Sequence, residues 1–265
     1  MKFVIDLWMH YRINEMKAII ISAGSGTRLS KYTEKLPKGL LEINGTTILE
    51  KQILNFQKSG INDILIIIGP HKEKYKLKNV TYLEDSEHQK HDVLQSLMIA
   101  ENSMVGEIII SYSDIVFDNS VLQQVIKSNV DIGIVIDLNW EEKYSNRTEH
   151  PKSEADNVII QNEKIIKIKK NILEVKDNQK RGEFIGIMKL SKKGSKIFVT
   201  EYNKIKQNHS NPFQNAQSFE KAYITDLIQE LIDREIQVSP IIINGLWCEI
   251  DTPQDLTTAK KLFKS

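Results

Sequence analysis

The sequence predicts an α/β fold around a doubly wound, mostly parallel sheet of Rossmann-like kind, with a smaller antiparallel elaboration on the substrate side. Three observations carry this. Short apolar strand candidates alternate with helical stretches between Lys17 and Asp137. A glycine-rich turn, Ala23–Gly26, follows the first strand directly. After about Leu138 the alternation gives way to a hairpin-like pair and a further strand. A β-α-β-α order brings successive strands side by side in parallel and covers both faces of the sheet with helices.

Lys17–Ser22 reads as a buried strand, and Thr47–Ser59 has helical apolar spacing through Ile48, Ile53, Leu54 and Phe56, stopped by Gly60. Asp63–Ile68 is the next strand, closed by Gly69-Pro70. Val80–Leu83 is a short strand, Asp92–Ala100 a helix, Glu107–Ser111 a strand, Ser120–Lys127 a helix and Asp131–Asp137 a strand. Beyond them, Glu154–Ile160 and Lys164–Ile168 form the hairpin pair and Glu183–Leu190 another strand. Lys192–Thr200 and Tyr223–Arg234 are helical, Val238–Ile243 is a strand and Pro253–Phe263 a last helix.

The chain has 265 residues, 40% hydrophobic and 27% charged, as in ordinary globular domains. Without a repeat or a low-complexity linker, residues 16–265 read as a single domain. Residues 1–15 read as an extension of open role, since Met16 stands just before the first strand. A net charge of +1 argues against a broad nucleic-acid surface, and most lysines are expected to solvate helix faces. Runs such as Ala18–Ile21 and Ile64–Ile68 are far shorter than the ~20 residues of a membrane span. Met1–Glu15 lacks the continuous apolar stretch of a signal peptide. Cys248 is the one cysteine, which fits a reducing, cytoplasmic setting. Self-association is compatible with the sequence and not specified by it.

The chemistry concentrates in Ser22-Ala23-Gly24-Ser25-Gly26-Thr27-Arg28-Leu29, followed by Leu36-Pro37-Lys38-Gly39-Leu40-Leu41. Glycines after a strand let the backbone bend tightly and turn its N–H groups toward phosphate oxygens. Arg28 and Lys38 add fixed positive charge, which a leaving pyrophosphate needs. Leu29 occupies the place of the third glycine of a dinucleotide fingerprint, and no Walker A string is present. Asp114 follows the strand Glu107–Ser111, at the carboxyl edge where parallel sheets bind ligands. The alternative for Asp114 is a helix cap, and for Asp251 the start of the last helix, with Thr252 as cap and Pro253 at its first position.

Ala23-Gly24-x-Gly26-x-Arg28-Leu29, then Pro37-Lys38, Gly45 and Leu49, resemble the signature of the sugar nucleotidyltransferase family. The resemblance implies that Ala23, Gly24, Ser25, Gly26, Thr27 and Arg28 hold the phosphates of an NTP and that Lys38 contacts phosphate. On that footing Lys38 is an exposed lysine of small folding energy. Asp114 and Asp251 resemble the two aspartates that bind Mg²⁺ in the family. Ser30, Lys31 and Tyr32 depart from the Pro-x-Thr of many hexose-phosphate members. Tyr144-x-x-Arg147-x-x-His150-Pro151-x-x-Glu154-Ala155, Gly182-Glu183-Phe184-Ile185-Gly186 and Trp247-x-Glu249-Ile250-Asp251-Thr252-Pro253 are similar to the cytidylyltransferase branch that activates phosphonates such as 2-aminoethylphosphonate, and to its phosphocholine-activating relatives.

The activity so implied is Mg²⁺-dependent transfer of a nucleotidyl group from CTP to a small phosphorylated or phosphonylated acceptor. Such an acceptor pairs an anionic head with a cationic tail. Arg147 suits the head, Glu154 or Glu183 the ammonium, and Tyr144 or Trp140 a π face, with Trp247 a further candidate for binding the substrate. Lys170 is a further phosphate candidate by resemblance, crowded by Lys167 and Lys169. Gln89 or Gln95 is the candidate for reading the base. The six histidines lack zinc-type spacing and read as polar loop residues. Two alternatives stay open: a hexose-1-phosphate nucleotidyltransferase using UTP or dTTP, and a catalytically silent nucleotide-binding subunit.

Overall fold

The computed structural model describes residues 13, 15–24, 29 and 32–264. Ser25, Gly26, Thr27 and Arg28, with Ser30, Lys31 and most of the 1–15 extension, lie outside the described residues.

The first half runs β1 (Lys17–Ser22), β2 (Glu42–Ile43), β3 (Thr46–Thr47), α1 (Ile48–Lys58), β4 (Asp63–Ile68), β5 (Thr81–Glu84), α2 (Val93–Met98), β6 (Ile108–Tyr112), β7 (Ile115–Phe117), α3 (Asn119–Lys127) and β8 (Ile132–Asp137). The second half runs α4 (Trp140–Lys143), β9 (Asp156–Gln161), β10 (Lys164–Lys170), β11 (Lys180–Leu190), α5 (Lys192–Asn208), α6 (Ile224–Asp233), β12 (Ser239–Ile243), β13 (Trp247–Glu249) and α7 (Pro253–Leu262).

The main sheet has the order β10-β9-β11-β6-β1-β4-β5, with β8 also on β11 and β12 on β8. β1 pairs in parallel with β4 and β6, β4 with β5, and β8 with β12. Between the parallel groups β11 runs antiparallel to β6, β8 and β9. β9 and β10 form the expected hairpin. The expected α/β class therefore holds, and β11 is the long strand that joins the doubly wound part to the elaboration.

Burial follows the two-residue period of each strand. Ile19 and Ile21 of β1 face one apolar layer with Leu65 and Ile67 of β4, while Ala18 and Ile20 face the other with Ile64, Ile66 and Ile68. α1 starts on a capping box: Thr47 Oγ1 accepts from the Glu50 N–H at 3.1 Å, and Glu50 Oε2 accepts from the Thr47 N–H at 2.8 Å.

Two features aim the chain at one edge of this sheet. The first is Gly69, just after β4, packed so tightly that a Cβ there would lie 2.6 Å from the Ala23 carbonyl oxygen. Gly69→Ala is expected to push the Ala23–Gly24 turn outward and to destabilise by about 1–3 kcal/mol, the usual cost of overpacking. Urea denaturation checks the stability and NTP KM the displaced turn; an unchanged KM would show that the turn absorbs the methyl group. The second is a two-stranded sheet that the sequence reading did not anticipate. β13 pairs antiparallel with β7, aligning Glu249 with Ile115, and the Ile250 N–H donates to the Asp114 carbonyl at 2.9 Å. Asp114 and Asp251, 137 positions apart in sequence, are thereby set side by side. Among the described residues no helix is long and apolar enough to cross a membrane.

Candidate active site

A cleft of about 560 Å³ opens along the carboxyl ends of β1 and β6. Ala23, Gly24, Lys38, Asp114, Glu249 and Asp251 line it. Pro37 leads into a single turn of 3₁₀ helix, Lys38–Leu40, that presents the lysine inward. Lys38 Nζ donates to Asp114 Oδ2 at 2.8 Å and also to Asp251 Oδ1. The lysine side chain is only 13% exposed, so the expectation of an exposed lysine is corrected: it is a buried ion-pair partner of two acids. Burial by itself favours loss of its proton, but Asp114, Asp251 and Glu249 outweigh that and hold the ammonium above its ordinary pKa.

The acids are held from behind. Asp255, at the N3 position of α7, accepts from the Asp251 N–H at 3.1 Å and the Thr252 N–H at 2.9 Å through Oδ2. Thr252 caps α7 in a capping box with Asp255, so the alternative of a helix start at Asp251 holds together with its place in the cleft. Burial, then Asp251, raises the Glu249 carboxyl, while Arg147 lowers it.

Several residues proposed for the acceptor sit elsewhere. Arg147 is behind the acids rather than in the cleft: Nε donates to Asp255 Oδ1 at 2.6 Å, and Nη2 donates to Asp255 Oδ2 at 3.1 Å and Glu249 Oε2 at 3.0 Å. The Nε and Nη2 donors are thus taken by the chain's own carboxylates. Tyr144 is buried with Trp140 and Ala155, and its hydroxyl donates to Glu183 Oε1 at 2.5 Å. Trp247 is buried too, its Nε1 donating to Asp137 Oδ2 at 2.7 Å. Tyr144, Arg147, Glu183 and Trp247 therefore line no part of the cleft. Their aromatic and charged character serves the packing of the α4 loop, which a single sequence cannot tell from a binding pocket.

Glu183 has a consequence for stability. Burial pushes its carboxyl up to about 8, against a lowering by the Tyr144 hydroxyl, and Oε2 has no hydrogen-bond partner. A carboxyl raised in the folded state gives stability that is full below its unfolded pKa and is lost as pH rises through about 8. Glu183→Gln is expected to remove this component, so that the variant gains on wild type by on the order of 2–3 kcal/mol between pH 6 and 9. Denaturant titrations at the two pH values measure it, and a constant difference would remove Glu183 as the titrating group.

Glu154 and Lys170 do line the cleft, paired at 2.9 Å. Asp156 stands beside them; burial pushes its carboxyl up to about 7, Lys170 opposes this and Glu249 adds to it. Lys167 and Lys169 do not reach the lining. Gln89, His88, His91 and Asp92 also line the cleft. Gln95 is away from the lining: its Nε2 donates to the Phe219 carbonyl at 2.9 Å, and its Oε1 accepts from the Tyr202 hydroxyl at 2.5 Å. That amide fastens α2 to α5 and cannot also read a base.

Residues the sequence reading missed in these roles are Glu249, His150 and Asp156. Glu249 and His150 were visible within motifs, but only the β7–β13 pairing and the fold of the 144–150 loop bring them to Asp251. His150 is buried, with Nδ1 3.1 Å from Asp251 Oδ2. This corrects the reading of His150 as a polar loop residue.

Residues 18–141 match the MobA-like NTP transferase domain, leaving Asp251, Glu249 and Lys170 beyond the matched part. The chain is 27% identical over 254 residues to a CTP:phosphoglutamine cytidylyltransferase of Campylobacter jejuni, covering 91% of this chain and 98% of that one. It is 29% identical over 247 residues to the bifunctional protein GlmU of Methanococcus aeolicus, covering 92% of this chain and 53% of the relative. Among solved structures, a CTP:phosphocholine cytidylyltransferase from Streptococcus pneumoniae superposes with a TM-score of 0.69 at 21% identity, covering 94% of this chain and 100% of that one; it shares the fold.

Proposed function

We propose that this chain, which belongs to the nucleotidyltransferase superfamily, joins CMP from CTP to a small phosphate-ester or phosphonate acceptor with a charged nitrogen at its far end. It is an enzyme of nucleotidyltransferase type. The observation that carries the reading is the convergence of Ala23–Gly24, Lys38, Asp114 and Asp251 with the Lys170–Glu154–Asp156 group in one cleft. CTP is favoured over other NTPs by the full-length similarity to a cytidylyltransferase that acts on phosphoglutamine.

In the proposed reaction an anionic oxygen of the acceptor attacks the α-phosphorus of CTP. The bond from that phosphorus to the bridging oxygen breaks, and pyrophosphate leaves. An oxygen that is already ionised needs no general base, so the protein's part is positioning and charge neutralisation. The backbone of Ala23–Gly24 would face the phosphates. Lys38 would supply an ammonium whose proton is held tightly by its two acids. Lys170 would meet the acceptor's anionic head, and Glu154 with Asp156 its cationic end.

A divalent cation fits this site. Six carboxylates and three lysines line the cleft among the described residues, which by itself repels a triphosphate. Asp114 Oδ1 is buried without a hydrogen-bond partner. Asp114, Asp251 and Glu249 are hard oxygen donors of the kind Mg²⁺ takes beside phosphate oxygens. Bound there, the ion would neutralise the phosphates and polarise them toward attack.

Pyrophosphate release from each of the four NTPs, against aminoethylphosphonate, phosphocholine, phosphoglutamine and hexose-1-phosphates, tests the proposal. CTP with a nitrogen-bearing acceptor should give the highest kcat/KM, and chelation should abolish it. A maximum for glucose-1-phosphate with UTP or dTTP would sink the acceptor assignment, and no release from any pair would favour a silent nucleotide-binding subunit.

A further inference from the structure

The three donors His150, Glu249 and Asp251 offer ligand atoms all within 4.8 Å of one another. One of them is poorly explained by the protein alone. His150 Nδ1 is fully buried, has no hydrogen-bond partner, and lies 3.1 Å from Asp251 Oδ2 in an orientation that makes no hydrogen bond. An imidazole nitrogen and a carboxylate oxygen at that separation are bridged by the nitrogen's own proton or by a cation, and the orientation, which makes no hydrogen bond, speaks for the cation. Adjacent donors of a six-coordinate ion, each about 2.1 Å from it, stand about 3.0 Å apart, and opposite ones about 4.2 Å. The His150–Asp251 spacing is that of an adjacent pair, and Glu249 offers its ligand atom within 4.8 Å of both.

We infer that the divalent ion of this cleft is held by a nitrogen as well as by oxygens, with His150 Nδ1 among its protein ligands beside the carboxylates of Asp114, Asp251 and Glu249, and that this set prefers Mn²⁺ or Co²⁺ to Mg²⁺. Imidazole is a ligand of first-row transition ions, whereas Mg²⁺ takes oxygen almost exclusively. The inference rests on the reading above that the cleft works with a divalent ion. Lys38 donates to Oδ1 of Asp251, whereas His150 faces Oδ2. The set is also held in place from behind. Arg147 fixes Glu249 through Oε2, and the loop bearing His150 is fastened to α7, where Gln254 Oε1 accepts from the Thr148 N–H at 2.9 Å and the Glu149 N–H at 3.2 Å. Such outer contacts orient ligands before the ion arrives.

Pulsed EPR of the full chain with Mn²⁺ alone as probe tests this without reference to turnover. The expected spectrum carries nitrogen coupling from one imidazole, converted to the ¹⁵N pattern when the histidines are ¹⁵N-labelled. His150→Gln should abolish the coupling and weaken Mn²⁺ binding by about tenfold or more, with Mg²⁺ binding less affected. His150→Asn replaces it if the longer amide does not pack. Mn²⁺ bound without nitrogen coupling in the wild type, or coupling that survives in both variants, overturns the inference and leaves the divalent-ion reading standing. Absence of any Mn²⁺ binding, with CTP present or not, overturns both.

Discussion

Lys38→Ala is expected to lose about 10²–10³-fold in kcat/KM, the scale of removing one preorganised charge contact from a reacting centre. It is also expected to destabilise the fold. The lysine is 13% exposed and bridges Asp114 and Asp251, side chains that are 21% and 8% exposed. Its removal leaves those carboxylates and Glu249 facing one another in a poorly hydrated place. Breaking a fully buried pair costs about 3–5 kcal/mol, and the solvent contact that Asp114 retains reduces this to about 2–4 kcal/mol. The two effects separate in one experiment. Thermal unfolding with and without millimolar Mg²⁺ should show a larger rise in Tm for the variant than for the wild type, because the ion replaces the missing positive charge. Wild-type kinetics, or a variant as stable as the wild type without added ion, would remove Lys38 from the centre of the site.

Arg147→Ala is expected to cost about 3–5 kcal/mol in urea denaturation, because it deprives Asp255 and Glu249 together of a buried partner. Its side chain is 10% exposed, and the guanidinium lies 4.9 Å above the Tyr144 ring, so packing is lost with the charge. Arg147→Lys should recover part of this at most, since an ammonium lacks the planar fork that grips both oxygens of Asp255 while also reaching Glu249. KM for the acceptor should change little at a temperature where the variant is folded, while affinity for the divalent ion falls by about 10–100-fold through the loosened Glu249. A raised acceptor KM with unimpaired stability would return Arg147 to the acceptor site.

Arg147 illustrates how far a sequence can be read. An arginine near Tyr144, Glu154 and Glu183 has the composition of a zwitterion pocket. The composition is real, but the charges satisfy one another: arginine with Asp255 and Glu249, tyrosine with Glu183. Nothing in the residue types distinguishes a protein carboxylate from a substrate phosphonate as the partner of a guanidinium. Gln95 is the same case with an amide, its two ends taken by Tyr202 and Phe219. Ser25, Gly26, Thr27 and Arg28 lie outside the described residues, so the phosphate-binding role expected of them rests on the sequence alone.

The sequence by itself determined the alternation of strands and helices and the glycine turn after β1, and it singled out Lys38, Asp114 and Asp251, which the fold brings into one cleft. These are local properties: apolar period two in a strand, glycine after it, a carboxylate at a strand's carboxyl end, each written within a few consecutive residues. The tertiary structure alone decided that Lys38 is a buried bridge between the two aspartates, that β7 and β13 pair so as to bring Asp114, Glu249 and Asp251 together, and that His150 turns inward beside them. Those facts depend on the register of strands more than 130 residues apart and on which charges meet in the interior, quantities set by the packing of the whole chain.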